Sequence, residues 1–321
     1  MLPKAMPPQD PPPGEQLALF DFGIDIGKLK SDAHDLEITC SASPNTLASY
    51  RSDWRCWLTW CTNAGRRPLP AQAEAVALWC LAQLQEGRAV ATVQRRTAAI
   101  RWYHRTTGHP IPSTREAEGI VRGWRRTHPT HQRRRLAIQP EQLRQVSPQL
   151  STRDRAVVLL GFASGCRRAE LSALDLADIT PAGNNRLMLT IRRSKTDQLG
   201  RGRHVGIWPG TNPQTCPVAA LRAYLQERGP EAGPLFLNRS GKRLSGEAIN
   251  DLVKRCAKLL HLDPSDYGGH SLRAGCVTAA HEAGMDAAAI MQRTGHKSVE
   301  MILKYIRPTD VFRRDVLAGV L

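Results

Sequence analysis

Residues 128–140 read HPTHQRRRLAIQP, three consecutive arginines between two proline-marked points. Proline lacks a backbone N–H and clashes with the turn before it, so no continuous helix crosses such a stretch. The chain is therefore expected to fold as two bodies, and 321 residues suffice for two separate cores. The two sides also differ in pattern. Upstream, apolar residues recur at helical spacing. Downstream, helical stretches surround two segments that read as strands. The expected division is a flexible proline-rich tail over 1–40, a small helical domain over 41–128, a basic linker over 129–139, and an α-rich domain with a small antiparallel sheet over 140–321.

In the upstream part, Leu47, Tyr50, Trp54, Trp57, Leu58 and Cys61 share one helical stripe, with Ser43–Pro44 as a start and Gly65 as a stop. Further helices fit residues 71–87, 89–108 and 113–128. In the third, Val90, Val93, Thr97 and Ile100 form the apolar stripe, and Arg88, Arg95 and Trp102 fall nearly opposite it. Downstream, RLMLTIRRSKT (186–196) and RHVGIWPG (203–210) read as strands joined by a turn-rich DQLGRG. Helices fit residues 151–165, 217–229, 245–260, 271–284, 286–295 and 298–308. GRGRHVG lies between strand segments rather than at a strand-to-helix turn, which argues against dinucleotide binding.

Charge narrows the partner. Lys and Arg outnumber Asp and Glu by 45 to 29, a formal net charge of +16. Such a field draws polyanions, nucleic acid foremost. A membrane is the rival, but no apolar run approaches the roughly 20 residues of a span and no basic-then-apolar leader opens the chain. A soluble, cytoplasmic protein is expected. Arg88, Arg95 and Arg96 are expected to face nucleic acid. Arg133, Arg134 and Arg135 read either as a solvated charge run or as a strap along a phosphate backbone. The eight cysteines form no C-x-x-C pair and fall mostly in apolar helical patterns, so reduced core thiols are expected. His128 and His131 have no matching ligand pair, which speaks against zinc.

The residues with chemistry lie in the second half. Arg167 opens CRRAEL after a helix stop, and Lys195 lies in RSKTD near the hairpin turn. His270 and Arg273 share a helix face in GHSLRAG. His296 lies in TGHKS and Tyr305 in KYIRP. Two arginines, a lysine and two histidines are donors or potential donors. Tyr305 is the one possible nucleophile. Acids that would hold Mg²⁺ are nearly absent from these stretches, apart from Glu170, three residues after Arg167 and able to orient it. A donor-rich set of this kind suits a phosphorane-like transition state: forked guanidiniums on the non-bridging oxygens, a phenol activated in a cationic pocket, and an ammonium protonating the leaving alkoxide. Taken singly, each residue also has an ordinary reading, such as a structural His or a helix-capping Arg.

Together, GCRRAEL, RSKTD, GHSLRAG, TGHKS and KYIRP resemble, in order and spacing, the tyrosine recombinase or phage integrase family, over roughly residues 43–321. RWYHRTTGHPIPS is similar to the cadence of Cre-like members. The resemblance implies a helical core-binding domain followed by the integrase catalytic fold. It implies a site-specific DNA recombinase that works through a 3′-phosphotyrosine and a Holliday junction, with no metal, ATP or other cofactor. It makes Arg167 and Arg273 the phosphate clamp, Glu170 the brace of the first, and Lys195 the acid for the 5′-hydroxyl. His270 becomes the acid/base residue, His296 a phosphate hydrogen-bonder and Tyr305 the nucleophile. The implied partner is duplex DNA with an inverted-repeat site, bound by a homotetramer whose protomers are monomeric in solution, with an apolar helix after Tyr305 docking on a neighbour. Cys166 stands where an aliphatic residue is usual, and a packing change alone is expected from it. A type IB topoisomerase and a non-catalytic DNA-binding protein stay open as alternatives. Integration, excision, resolution and inversion share this chemistry and are not separated by it.

Overall fold

A computed structural model describes residues 43–128, 135–194, 197, 200 and 202–305. The expected tail, Arg133, Arg134, Lys195 and the segment after Tyr305 lie outside the described residues. The chain divides into two compact units, Met1–His131 and Gln132–Leu321.

The first unit holds α1 (Pro44–Asn63), α2 (Ala73–Gln85), α3 (Val90–Thr106) and α4 (Arg115–Thr127). The Ser43 hydroxyl accepts from Thr46 N–H at 3.3 Å, so Ser43 caps α1 while Pro44 fills the first position, where a missing N–H costs nothing. Trp57, Trp79, Val93 and Ile100 form the core with Cys61 and Cys80. Trp57 and Trp79 meet edge-to-face at 5.1 Å. His104 is wholly buried. Its Nε2 accepts from Ala71 N–H at 2.7 Å and its Nδ1 faces the Ile100 carbonyl at 2.8 Å. A carbonyl only accepts, so the ring is neutral with its proton on Nδ1. Burial lowers its pKa further from the ordinary value.

The second unit contains α5 (Pro140–Val146), α6 (Thr152–Ser164), α7 (Arg168–Ala173), β1 (Ile179–Pro181), β2 (Leu187–Ile191), β3 (Arg203–Ile207), α8 (Pro217–Arg228), α9 (Gly246–Leu259), α10 (Gly269–Glu282), α11 (Ala287–Thr294) and α12 (Val299–Leu303). The middle of α6, Ala156 through Leu160, is buried on every side, and α8 and α10 pack against it. The sheet is antiparallel in the order β1-β2-β3, with Leu189 opposite Val205 and Ile191 opposite Arg203. Leu187, Leu189, Ile191, Val205 and Ile207 face the core, as strand alternation requires.

Three details differ from the sequence expectation. β1, α5 and α7 were not anticipated. The residues before α5 are not a free linker throughout. Leu136 N–H reaches the Asp266 carbonyl at 2.8 Å and Ile138 N–H the Ser271 carbonyl at 3.2 Å, and Ile138 is buried. This strap crosses α10 so closely that a Cβ on Gly275 would stand 2.2 Å from the Ile138 oxygen. Finally, the last helix stops at Leu303, so Tyr305 sits in a turn, its N–H on the Ile302 carbonyl at 2.8 Å. Among the described residues no helix is long and apolar enough to cross a membrane.

Candidate active site

The site is organised around a buried arginine. Helix α6 ends at Gly165, whose φ of 62° is left-handed and whose Cβ, if present, would stand 2.8 Å from Thr294 Cγ2. Helix α11 ends at Thr294. Arg273, on α10, is 1% exposed. Its Nη1 donates to Gly165 O at 2.7 Å and Thr294 O at 2.6 Å. Two helices thus turn their carbonyl ends, which carry partial negative charge, onto one guanidinium. Burial first, then Arg167, lowers the Arg273 pKa from its usual value, but a guanidinium keeps its proton at any working pH. Its Nη2 is buried and makes no hydrogen bond among the described residues.

Arg167 is held by its own helix start. It caps α7, and Glu170 in the first turn takes Arg167 N–H on Oε2 at 3.0 Å and Arg167 Nη1 on Oε1 at 2.7 Å. The spacing of three that sequence reading noted therefore makes Glu170 a double acceptor for Arg167, one half of a capping box, since a guanidinium cannot accept in return. Glu170 is 4% exposed. Burial pushes its pKa up, but Arg203 and Arg167 outweigh that, and the net shift is downward. Arg203 is the residue the sequence did not disclose. Lying on β3, it donates Nη2 to Glu170 Oε2 at 2.7 Å and Nε to the Arg293 carbonyl at 3.4 Å. Its one signal is a polar residue opening an otherwise core-facing strand.

His270, His296 and Tyr305 complete the arrangement. Together with Arg167 and Arg273 they line one cavity of about 440 Å³. The Tyr305 hydroxyl lies 2.8 Å from His270 Nε2. The His270 ring edge meets solvent, yet the ring stands in the concave wall. Partial withdrawal from water, then Arg273 and Arg167, lower its pKa. It is neutral near pH 7 and can take the phenolic proton. His296 is 5% exposed. Burial first, then Arg273, Arg167, His270 and Arg203, bring its pKa down to about 4. Its Nδ1 lies 2.7 Å from the Thr294 hydroxyl. The ring centroids of His270 and His296 are each 5.4 Å from that of Tyr305.

The other expected residues divide. Arg135 lines the same cavity, and its guanidinium bonds to the Ser265 carbonyl. Arg88 and Arg95 are exposed, but Arg95 forks onto Asp53 at 2.8 and 2.9 Å. Arg96 turns inward, 3.5 Å from Asp53 and 6.0 Å from the Trp79 ring. That makes it a packing residue of the first unit, with 13% of its side chain accessible. Cys166 is a buried thiol whose pKa burial pushes up to about 11. The described cysteines, 56, 61, 80, 166, 216, 256 and 276, are all free thiols.

Comparison with known proteins gives the family and the fold. The profile of the phage integrase family matches residues 134–311, and that of the phage integrase N-terminal SAM-like domain matches residues 33–107. An integrase/recombinase XerD homolog of Selenomonas ruminantium is 32% identical over 86% of this chain and 85% of its own length. The Cre recombinase of Escherichia phage P1 is 26% identical over 84% and 85%. In fold, a lambda integrase fragment dimer bound to a core site superposes with a TM-score of 0.61 at 16% identity, over 91% of this chain and 98% of that one. The Tn1549 transposon integrase, in complex with transposon right-end DNA, gives 0.60 at 16% identity over 86% and 93%. A cavity that gathers Arg167, His270, Arg273, His296 and Tyr305 thus lies in a chain that belongs to the phage integrase family of tyrosine recombinases.

Proposed function

We infer that this chain cleaves and rejoins duplex DNA at specific sites through a covalent phosphotyrosine. One observation carries the reading: the Tyr305 hydroxyl sits 2.8 Å from His270 Nε2 in the cavity that also holds Arg167 and Arg273. His270 takes the phenolic proton as the Tyr305 oxygen attacks phosphorus. Arg167 and Arg273 hold the non-bridging oxygens, whose negative charge grows in the transition state. The bond to the 5′-oxygen breaks, and Lys195, outside the described residues, supplies the proton to that leaving group. The phosphate stays on Tyr305 at the 3′ end of the cut strand. A 5′-hydroxyl from a partner duplex then reverses the steps, so the phosphodiester energy is conserved without a nucleotide. Glu170 and Arg203 brace Arg167.

On two inverted half-sites, paired with a second such duplex, four protomers would exchange strands through a Holliday junction. The exposed cations Arg88 and Arg95 and the triplet Arg133–Arg135 would meet the phosphate backbone. The decisive experiment is Tyr305→Phe on a nicked target duplex. Wild type forms a detergent-stable adduct ending in 3′-phosphotyrosine. The variant binds DNA with little change, since affinity is spread over many basic residues, and forms none. An adduct on the Phe variant, or on a residue other than 305, overturns the assignment.

A further inference from the structure

Thr294 belongs to no part of the chemistry above, yet it grips His296. Its Oγ1 is 2.6 Å from the Ile290 carbonyl and 2.7 Å from His296 Nδ1. A carbonyl accepts and does not donate, so at 2.6 Å the hydroxyl proton points to Ile290. The oxygen then has only lone pairs for Nδ1, and Nδ1 must carry the ring proton. In a neutral imidazole the other nitrogen is bare. With Nδ1 turned to Thr294, Nε2 is the nitrogen left for the cavity that His296 lines. A bare Nε2 repels an anionic oxygen, while the site around it is built for a phosphate.

We propose that Thr294 is a positioning residue that fixes the proton of His296 on Nδ1, so that His296 becomes a donor to phosphate only by taking up a second proton when DNA enters. The inference rests on the phosphotransfer reading of this cavity. The proton comes from solvent and settles on Nε2, giving an imidazolium anchored at one nitrogen by Thr294 and at the other by a phosphate oxygen. In the empty site the groups around the ring oppose this. Arg273 and His270 from α10, Arg167 before α7 and Arg203 from β3 disfavour a further cation, and the phenol of Tyr305 stands tilted against the ring at 5.4 Å. An entering phosphate supplies the negative charge that reverses the balance. A neutral alternative exists, in which the Thr294 hydroxyl swings to Nδ1 and abandons Ile290, and it takes up no proton.

The two routes separate in measurement. In the free full-length protein, ¹⁵N shifts of His296, assigned with a Gln variant, should show the proton on Nδ1. A proton on Nε2 would defeat the proposal. Calorimetric titration of target duplex in buffers of different ionisation enthalpy should then show uptake of about one proton per protomer near pH 7, and affinity should gain up to about tenfold per unit of pH lost. Thr294→Val keeps the methyl against Gly165 but frees Nδ1, so uptake should vanish and the pH profile flatten. Thr294→Ser should restore both. His296→Trp donates without titrating, and any pH dependence left in it belongs to His270 or Tyr305. Unchanged proton uptake in the Val variant overturns the role of Thr294 even where the Tyr305 adduct forms normally. Absence of the adduct with a correct Nδ1 tautomer would instead overturn the phosphotransfer reading.

Discussion

Both units bury a carboxylate between two arginines: Asp53 between Arg95 and Arg96, and Glu170 between Arg167 and Arg203. The chemistry is the same and exposure does not separate them, since the side chains of Arg96 and Arg167 are 13% and 19% accessible. What differs is where the unused guanidinium edge points. Arg96 closes on Trp79 and on the Cys56 sulfur. Arg167 opens on a cavity with a second guanidinium, an imidazole and a phenol. A buried acid–arginine cluster is therefore a scaffold by default, and it becomes a site only where other donors converge on the same space.

This contrast can be broken from either side. The largest effect is expected from Arg167→Ala, which removes half the phosphate clamp. Adduct formation on saturating DNA should fall by about a hundredfold or more, with affinity changed far less. Arg96→Ala should leave that rate alone, and a rate loss there would erase the distinction. Next in size is Asp53→Ala. It strands Arg96 and should lower the stability of the first unit by about 2 kcal/mol in urea titrations. That is less than a fully buried broken pair would cost, because Arg95 is half exposed and finds water. No measurable loss would mean that the cluster supports nothing.

A smaller effect concerns pH. His104 is buried neutral, and burial lowers its pKa below the unfolded value. Such a group stabilises the fold fully above about pH 6.5 and progressively less as pH falls toward the folded value. Melting of residues 43–128 within the whole chain should therefore shift down between neutral and mildly acid pH, and His104→Gln should weaken the shift. The same slope in wild type and variant would assign it elsewhere. Smallest is the salt term. Arg88→Ala should reduce the slope of log affinity against log salt by about 0.9, and Arg95→Ala by less, since two of its donors are already on Asp53. Arg96→Ala should not, because its guanidinium is spent on Asp53 and Trp79.

The parts legible in the sequence are those whose cause is local. Ser43–Pro44 announces α1 because a cap and its helix are neighbours. Gly165 announces the end of α6 because a left-handed residue is needed there. The catalytic candidates were legible because helix spacing puts His270 and Arg273 on one face and Arg167 beside Glu170. Partners distant along the chain were not. Arg203 meets Glu170 across 33 positions, and nothing around it in sequence says that β3 runs past α7. Arg96 is the neighbour of Arg95 in sequence, yet one residue's rotation about α3 exchanges solvent for Trp79. The three-residue β1 has too few positions to show alternation, and Ile138 looks like linker until Ser271 is seen to pair with it.

The grip on Arg273 has a consequence for how such a chain diverges. Its two anchors, Gly165 O and Thr294 O, are main-chain atoms. No substitution can delete a carbonyl, so this guanidinium keeps its anchors through most side-chain changes, the exceptions including Gly165, where any side chain would strike Thr294, and Gly275 on its own helix, where one would strike the strap at Ile138. Side-chain changes elsewhere can thus accumulate while this one orientation is kept. A designer redrawing the first unit would change neither anchor, since the arginine, both carbonyls and the residues lining the cavity all lie in the second.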